Sequence, residues 1–265
     1  MKVVILCGGM GTRIRDVADN IPKPMIPIGG YPILWHIMKY YSEYKYTEFI
    51  LCLGYKSSII KDFFLNYEAH TRDFTIHTGA QKSIEYHTDH TEMDWKVTLA
   101  ETGLNSMTGS RVKKIKKYIG TDEYFMLTYG DGVGDIDIDQ LVAFHKSHGK
   151  ILTVTGVRPP GRFGEIMCDS TGKITEFNEK PQATSGVISG GYFVCSKELF
   201  DYLPDNEDLV FEKSPMKNLV ADGQLMVYEH TGFWQPMDTY RDYMYLNELY
   251  NEGKAYWMRW KKENY

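Results

Sequence analysis

Cysteine is scarce: Cys7, Cys52, Cys168 and Cys195 are the only four in 265 residues, and no two form a Cys-x-x-Cys pair. A disulfide framework is therefore not expected, and the four read as small apolar fillers of a cytoplasmic protein. No apolar run approaches the ~20 residues of a membrane span, and the stretch behind Lys2 is too short for a signal peptide. A basic excess is missing too. The 30 Lys and Arg stand against 35 Asp and Glu, a formal net charge of -5, which argues against a general binder of nucleic acid or membrane surface. Any anion the chain binds must be met by local design. Repeats, low-complexity tracts and Pro-, Gly- or Ser-rich linkers are also lacking. The chain is expected to be one domain, 1–265, whose texture changes between its halves 1–157 and 158–265.

What is present is an alternation. Apolar runs at 3–6, 49–53, 124–128 and 152–157 read as buried strands, and helical patterns fall between them at 32–44, 57–67 and 137–148. Proline opens the first helix, serines cap the second, and acidic residues and Gly149 bracket the third. Strand, helix, strand in that order predicts parallel pairing with right-handed crossovers. Beyond residue 158 shorter pieces predict a hairpin, 165–168 with 174–177, and a strand at 192–194. Helices are expected at 210–221 and 239–250, the second with Tyr243, Leu246, Leu249 and Tyr250 as core or subunit-contact residues.

The first strand runs into Gly8-Gly9-Met10-Gly11-Thr12-Arg13-Ile14-Arg15. A dinucleotide fingerprint needs glycine where Ile14 stands, and a P-loop needs Gly-Lys-Ser/Thr where the chain has Gly11-Thr12-Arg13, so both fail. Two readings stay open: a tight strand-to-helix turn with a solvated arginine, or a different phosphate cradle. In the second, glycine backbone amides, the Thr12 hydroxyl, the Arg13 fork and Lys23, stiffened between Pro22 and Pro24, meet the anion. Asp131, within Tyr129-Gly130-Asp131-Gly132, falls at a strand's carboxyl end, the edge where open α/β sheets bind ligands. A carboxylate beside phosphate is repelled by about 4 kcal/mol at 4 Å and an effective dielectric of 20 unless a cation intervenes. That pairing implies Mg²⁺.

The glycine loop with Lys23-Pro24 resembles the sugar-nucleotide pyrophosphorylase pattern. Further blocks resemble the glucose-1-phosphate cytidylyltransferase family along nearly the whole chain. They are 32–38, Ser106-Met107-Thr108-Gly109, 128–133, Pro159-Pro160-Gly161-Arg162-Phe163-Gly164, Glu179-Lys180-Pro181 and 232–239. The resemblance implies a Rossmann-like nucleotide-diphosphosugar transferase fold, α/β with a mixed central sheet flanked by helices. It implies an Mg²⁺-dependent nucleotidyltransferase that joins CTP to α-D-glucose 1-phosphate, giving CDP-glucose and pyrophosphate for deoxysugar and O-antigen-type (lipopolysaccharide) biosynthesis, and a homo-oligomer.

Carried over residue by residue, Leu6, Cys7, Gly8, Gly9, Met10, Gly11, Thr12 and Arg13 would line the nucleotide, with Lys23 on its triphosphate. Ser106, Thr108, Gly109 and Arg111 would complete the pocket, and Gly130 would lay its backbone against the nucleotide. Asp131 and Asp238 would hold the metal, and Glu179, Lys180, Ser189 and Gly190 would face the sugar phosphate. Arg13, Lys23, Asp131, Lys180 and Asp238 would carry catalysis, mainly by neutralising charge, with no protein nucleophile and no general base.

The chain departs from the family pattern at Ser110, Glu165 and Ser189. The last stands where asparagine would make paired amide contacts, which keeps open a different phosphorylated acceptor. A non-catalytic nucleotide-sensing subunit is the alternative of another class. His70, His77, His87 and His90 match no common ligand spacing and read as a polar loop or subunit contact. Apart from Arg111, the basic stretch 111–117 reads as the wet face of a helix that turns Val112, Ile115 and Ile119 inward.

Overall fold

The computed structural model describes residues 1–11, 14, 20–80, 82–87, 94–158, 165–168, 173–178 and 186–260. Its frame is a seven-stranded sheet of β1 (Val3–Leu6), β2 (Glu48–Leu53), β3 (Lys96–Glu101), β4 (Tyr124–Tyr129), β5 (Leu152–Val157), β6 (Ile188–Ser196) and β7 (Leu225–His230). The spatial order is β7-β5-β6-β4-β1-β2-β3. Strand β1 pairs parallel with β2 and β4, β2 with β3, and β5 with β7. Strand β6 is antiparallel to both β4 and β5, so it alone runs backwards and the sheet is mixed. Both sequence halves supply strands to it, and the carboxyl ends of six strands share one edge.

The strands are continuous apolar runs because both faces are covered. Val3 and Ile5 join a cluster with Ile33, Ile37, Leu141 and Leu246, from helices Ile33–Glu43, Ile138–His148 and Tyr240–Asn251. Val4 and Leu6 face the other way, onto Val112, Ile115 and Leu219. The period-two alternation of β1 thus builds two cores, one on each side of the sheet.

The expected strands at 3–6 and 152–157 have those bounds, and the other two differ by one residue at an end. Asp137 caps its helix by accepting from the Gln140 amide at 3.0 Å, and Gly149 ends it at φ +64. Thr239 caps the last helix reciprocally with Asp242. The hairpin is Glu165–Cys168 against Ile174–Asn178.

Three helix expectations are corrected. Helix Ser57–Leu65 has no serine cap: its cap position is Lys56, left-handed at φ +50, and the segment breaks at Asn66 before Tyr67–Thr71. The helix expected over 210–221 begins at Ser214, because Phe211 is drawn into the core and its amide donates to Thr108 Oγ1 at 2.9 Å, while Pro215 suits a first turn. The basic stretch is two pieces, Thr108–Lys114 and Lys116–Ile119, although Val112, Ile115 and Ile119 are all buried as expected. Strands β3 and β7 and the hairpin Phe74–His77 with Ser83–Tyr86 were not anticipated. No described helix is long and apolar enough to cross a membrane.

Candidate functional site

The chain leaves β1 at the shared carboxyl edge and turns through Gly8–Gly11, with Gly11 at φ +59 and Ile14 returning into the core. Thr12 and Arg13 lie outside the described residues. Gly130 follows β4, its amide donating to Leu6 O at 3.1 Å; a Cβ there would stand 3.0 Å from that oxygen and 3.3 Å from Cys7 Sγ. Glycine is needed for the two loops to touch. Beyond β3, residues 104–108 form a third wall. Together these loops enclose a cleft of about 510 Å³ lined by Leu6–Gly11, Lys23, Leu104–Thr108, Arg111, Tyr129–Asp131 and Asp238.

Strands β4, β1, β2 and β3 are consecutive, so the cleft runs across the carboxyl ends of four neighbouring strands, from Asp131 to the 104–108 wall. One end concentrates charge. Strand Gly132–Gly134 pairs antiparallel with Trp234–Pro236, and the Met237 amide donates to Asp131 O at 2.8 Å, which carries Asp238 to Asp131. Lys23, at the start of a 3-10 turn between two prolines, places Nζ 2.6 Å from Asp131 Oδ2 and 2.5 Å from Asp238 Oδ1. Burial alone would lower the Lys23 pKa, but Asp131 and Asp238 outweigh it and hold the ammonium above the ordinary lysine range. Two carboxylate oxygens converging on one cation form a hard-oxygen donor pair of the kind that, with phosphate oxygens, suits Mg²⁺.

Arg111 lines the cleft but spends its donors on the protein. The residue is 4% exposed, and its guanidinium donates to Leu53 O at 2.9 Å, Thr102 Oγ1 at 2.8 Å, Gly8 O at 3.0 Å and Leu104 O at 3.3 Å. It ties together the loops after β1, β2 and β3. Gly8 and Gly54 flank it: a Cβ on either would stand 2.1 Å or 2.5 Å from Nη1.

Ser106 is likewise engaged, its hydroxyl set among Thr102 O at 2.6 Å, Lys114 Nζ at 2.9 Å and the Glu207 carboxylate. Thr108 Oγ1 donates to Glu212 Oε2 at 2.8 Å, and the same carboxylate takes the Tyr129 hydroxyl. Gly109 faces Leu209, where a Cβ would meet Cγ at 2.8 Å. Glu207 and Glu212, which brace two walls of the cleft, were missed: nothing in the sequence signals a partner about 100 residues away.

Among the sugar-side expectations, Ser189 is exposed and opposite Gly156 at the start of the reversed strand β6, on the same sheet edge. Gly190 O accepts from Trp234 Nε1 at 2.7 Å. Glu179, Lys180 and His90 lie outside the described residues. His70 stacks on Phe63, and His87 pairs with the Thr75 hydroxyl at 2.8 Å.

A model of the nucleotidyl transferase family matches residues 2–253. The chain is 48% identical over 261 residues to the glucose-1-phosphate cytidylyltransferase of Salmonella typhi, covering 98% of this chain and 100% of that one. It is 44% identical over 260 residues to the probable glucose-1-phosphate cytidylyltransferase of Bacillus subtilis (strain 168), again over 98% and 100%. A crystal structure of a putative glucose-1-phosphate thymidylyltransferase from Bacillus anthracis in complex with a sucrose shares the fold, at TM-score 0.68 and 18% identity over 100% of this chain and 97% of that one. A carboxyl-edge cleft with a glycine loop, a family match across 252 residues and near-full-length relatives at 44% and 48% identity agree: the chain belongs to the nucleotidyl transferase family.

Proposed function

We propose that the protein transfers the cytidylyl group of CTP to α-D-glucose 1-phosphate, releasing pyrophosphate and CDP-glucose. The observation that carries this reading is the convergence of Lys23, Asp131 and Asp238 at one end of a cleft floored by the glycine loop. Its run from Asp131 to the 104–108 wall suits a triphosphate at the charged end and a base at the other. Cytosine and glucose come from the near-full-length likeness to glucose-1-phosphate cytidylyltransferases, since every nucleoside triphosphate offers the same phosphates.

A phosphate oxygen of the sugar attacks the α-phosphorus in line. The new O–P bond forms as the bond to the β-phosphate oxygen breaks, and the pyrophosphate leaves with that electron pair. Backbone amides of Gly8–Gly11 hold the phosphates, Lys23 and Arg13 receive the leaving pyrophosphate, and Lys180 with Glu179 orients the sugar phosphate. The attacking group is already an anion at neutral pH, so no residue serves as general base. Asp131 and Asp238 would hold Mg²⁺, which when bound supplies the positive charge that lets the triphosphate lie beside two carboxylates. Arg111 and Ser106, whose hydrogen bonds are spent on the protein, act from the cleft wall by fixing the loops that meet the nucleotide. The same reading takes residues 1–265 as one domain of a cytoplasmic homo-oligomer.

Pyrophosphate release with CTP over a panel of sugar phosphates tests the proposal. Turnover with glucose 1-phosphate supports it. Silence there beside turnover with another acceptor would move the assignment to that acceptor, the reading that exposed Ser189 at the sheet edge favours. Silence with every acceptor while CTP binds would make the chain a nucleotide sensor.

A further inference from the structure

Asp131 and Asp238 are carried by segments 107 residues apart in sequence and are brought together by the paired strands Gly132–Gly134 and Trp234–Pro236. Between them lies a cation that the chain supplies itself, the Lys23 ammonium, within 2.6 Å of one carboxylate and 2.5 Å of the other. A divalent ion held by the same two oxygens at about 2.0–2.1 Å would occupy nearly the same point, and two cations cannot share it. Yet the triphosphate reading asks Lys23 to contact phosphate.

We propose that Lys23 is a resident stand-in for the metal: it fills the position between Asp131 and Asp238 until a metal-chelated nucleoside triphosphate arrives, so the ligand of this site is the metal–nucleotide complex and not the bare ion. The inference deepens the functional reading above and rests on it. The exchange needs only a side-chain movement. The Lys23 backbone is held by Pro22 and Pro24, and its Cβ packs 3.1 Å from where a Cβ on Gly11 would stand, so the stem is rooted beside the phosphate-binding loop. Four flexible methylenes let the head swing from the carboxylates to a phosphate on that loop. Incoming phosphate offers the ammonium a new anion as the metal takes the old ones, so every charge stays compensated. Bare metal offers Lys23 nothing and must expel it against two short ion pairs.

The test is titration of the nucleotide-free protein with Mn²⁺ alone, read by loss of the free-ion electron paramagnetic resonance signal. Lys23→Met and Lys23→Gln leave the carboxylates without their resident charge, and each should bind Mn²⁺ at least tenfold more tightly than the wild type. Asp131→Asn added to Lys23→Met should erase the gain. Wild type binding bare Mn²⁺ as tightly as both variants would overturn the proposal. If the variants unfold without metal, Mn²⁺ alone should raise their melting temperature and leave that of the wild type unmoved; no such difference would also overturn it. Neither CTP nor sugar phosphate enters this titration. A wild type inactive with CTP in a parallel assay would therefore fail the functional reading, separately from the lysine exchange.

Discussion

Arg111→Met removes the cation that joins three loops while nearly keeping its volume. Three of the four guanidinium hydrogen bonds are 3.0 Å or shorter, to Leu53 O, Thr102 Oγ1 and Gly8 O. At the lower value of about 1.5 kcal/mol for a hydrogen bond to a charged group they sum to roughly 4–5 kcal/mol. Burial opposes the charge and pulls the Arg111 pKa below its usual value, so part of that sum is returned when the cation goes. The expected net loss is about 2–3 kcal/mol, a large share of a typical 5–15 kcal/mol stability. Urea unfolding reads it as a lower midpoint at unchanged slope. Arg111→Lys should recover little, since one ammonium cannot reach four acceptors on three loops. A loss under about 0.5 kcal/mol, with the KM for CTP unmoved, would refute the role given to Arg111.

Gly54→Ala builds a Cβ 2.5 Å from Arg111 Nη1 and 2.8 Å from Gly8 O, and should cost about 1–3 kcal/mol by overpacking, again read by urea midpoint; a neutral result would mean the three loops are not locked together. Asp131→Asn should lower kcat on the order of 10²-fold or more while the Kd for CTP changes much less, and unchanged turnover would remove Asp131 from catalysis. His36 is fully buried between Ile28 O at 2.8 Å and the Trp257 indole, and burial lowers its pKa to about 4. Because the folded value lies below the unfolded one near 6.5, stability is fully present above about pH 6.5 and declines as pH falls toward 4. An NMR titration of His36 should show no protonation above about pH 5; a midpoint near 6.5 would contradict its buried, neutral state.

Local signals in the sequence were reliable where one element decides its own fate. The run Val3–Leu6, the Asp137 cap and Gly149 each act within a few residues, and each stands as read. One local reading failed, the serine cap of the second helix, where Lys56 takes the cap position; the other misses are tertiary. Residues 210–213 have helical periodicity, but Phe211 belongs to the core behind β6 and its amide to Thr108, so the helix starts late. Edge strands β3 and β7 carry weaker apolar alternation than the central strands and were passed over. The same division holds in the site. Glycine loop, Lys23 and Asp131 were legible as types at telling positions. That Lys23 would sit on both carboxylates, that Arg111 would turn inward, and that Glu207 and Glu212 would brace the walls depend on contacts across about 100 to 215 residues.

The most direct measurement incubates the purified protein with CTP, glucose 1-phosphate and Mg²⁺ and follows nucleotide sugar and pyrophosphate together. A cytidylyltransferase that depends on Lys23 gives CDP-glucose and pyrophosphate in equal amounts and loses both in Lys23→Met. Pyrophosphate without CDP-glucose, or equal formation of both by Lys23→Met, would contradict that reading.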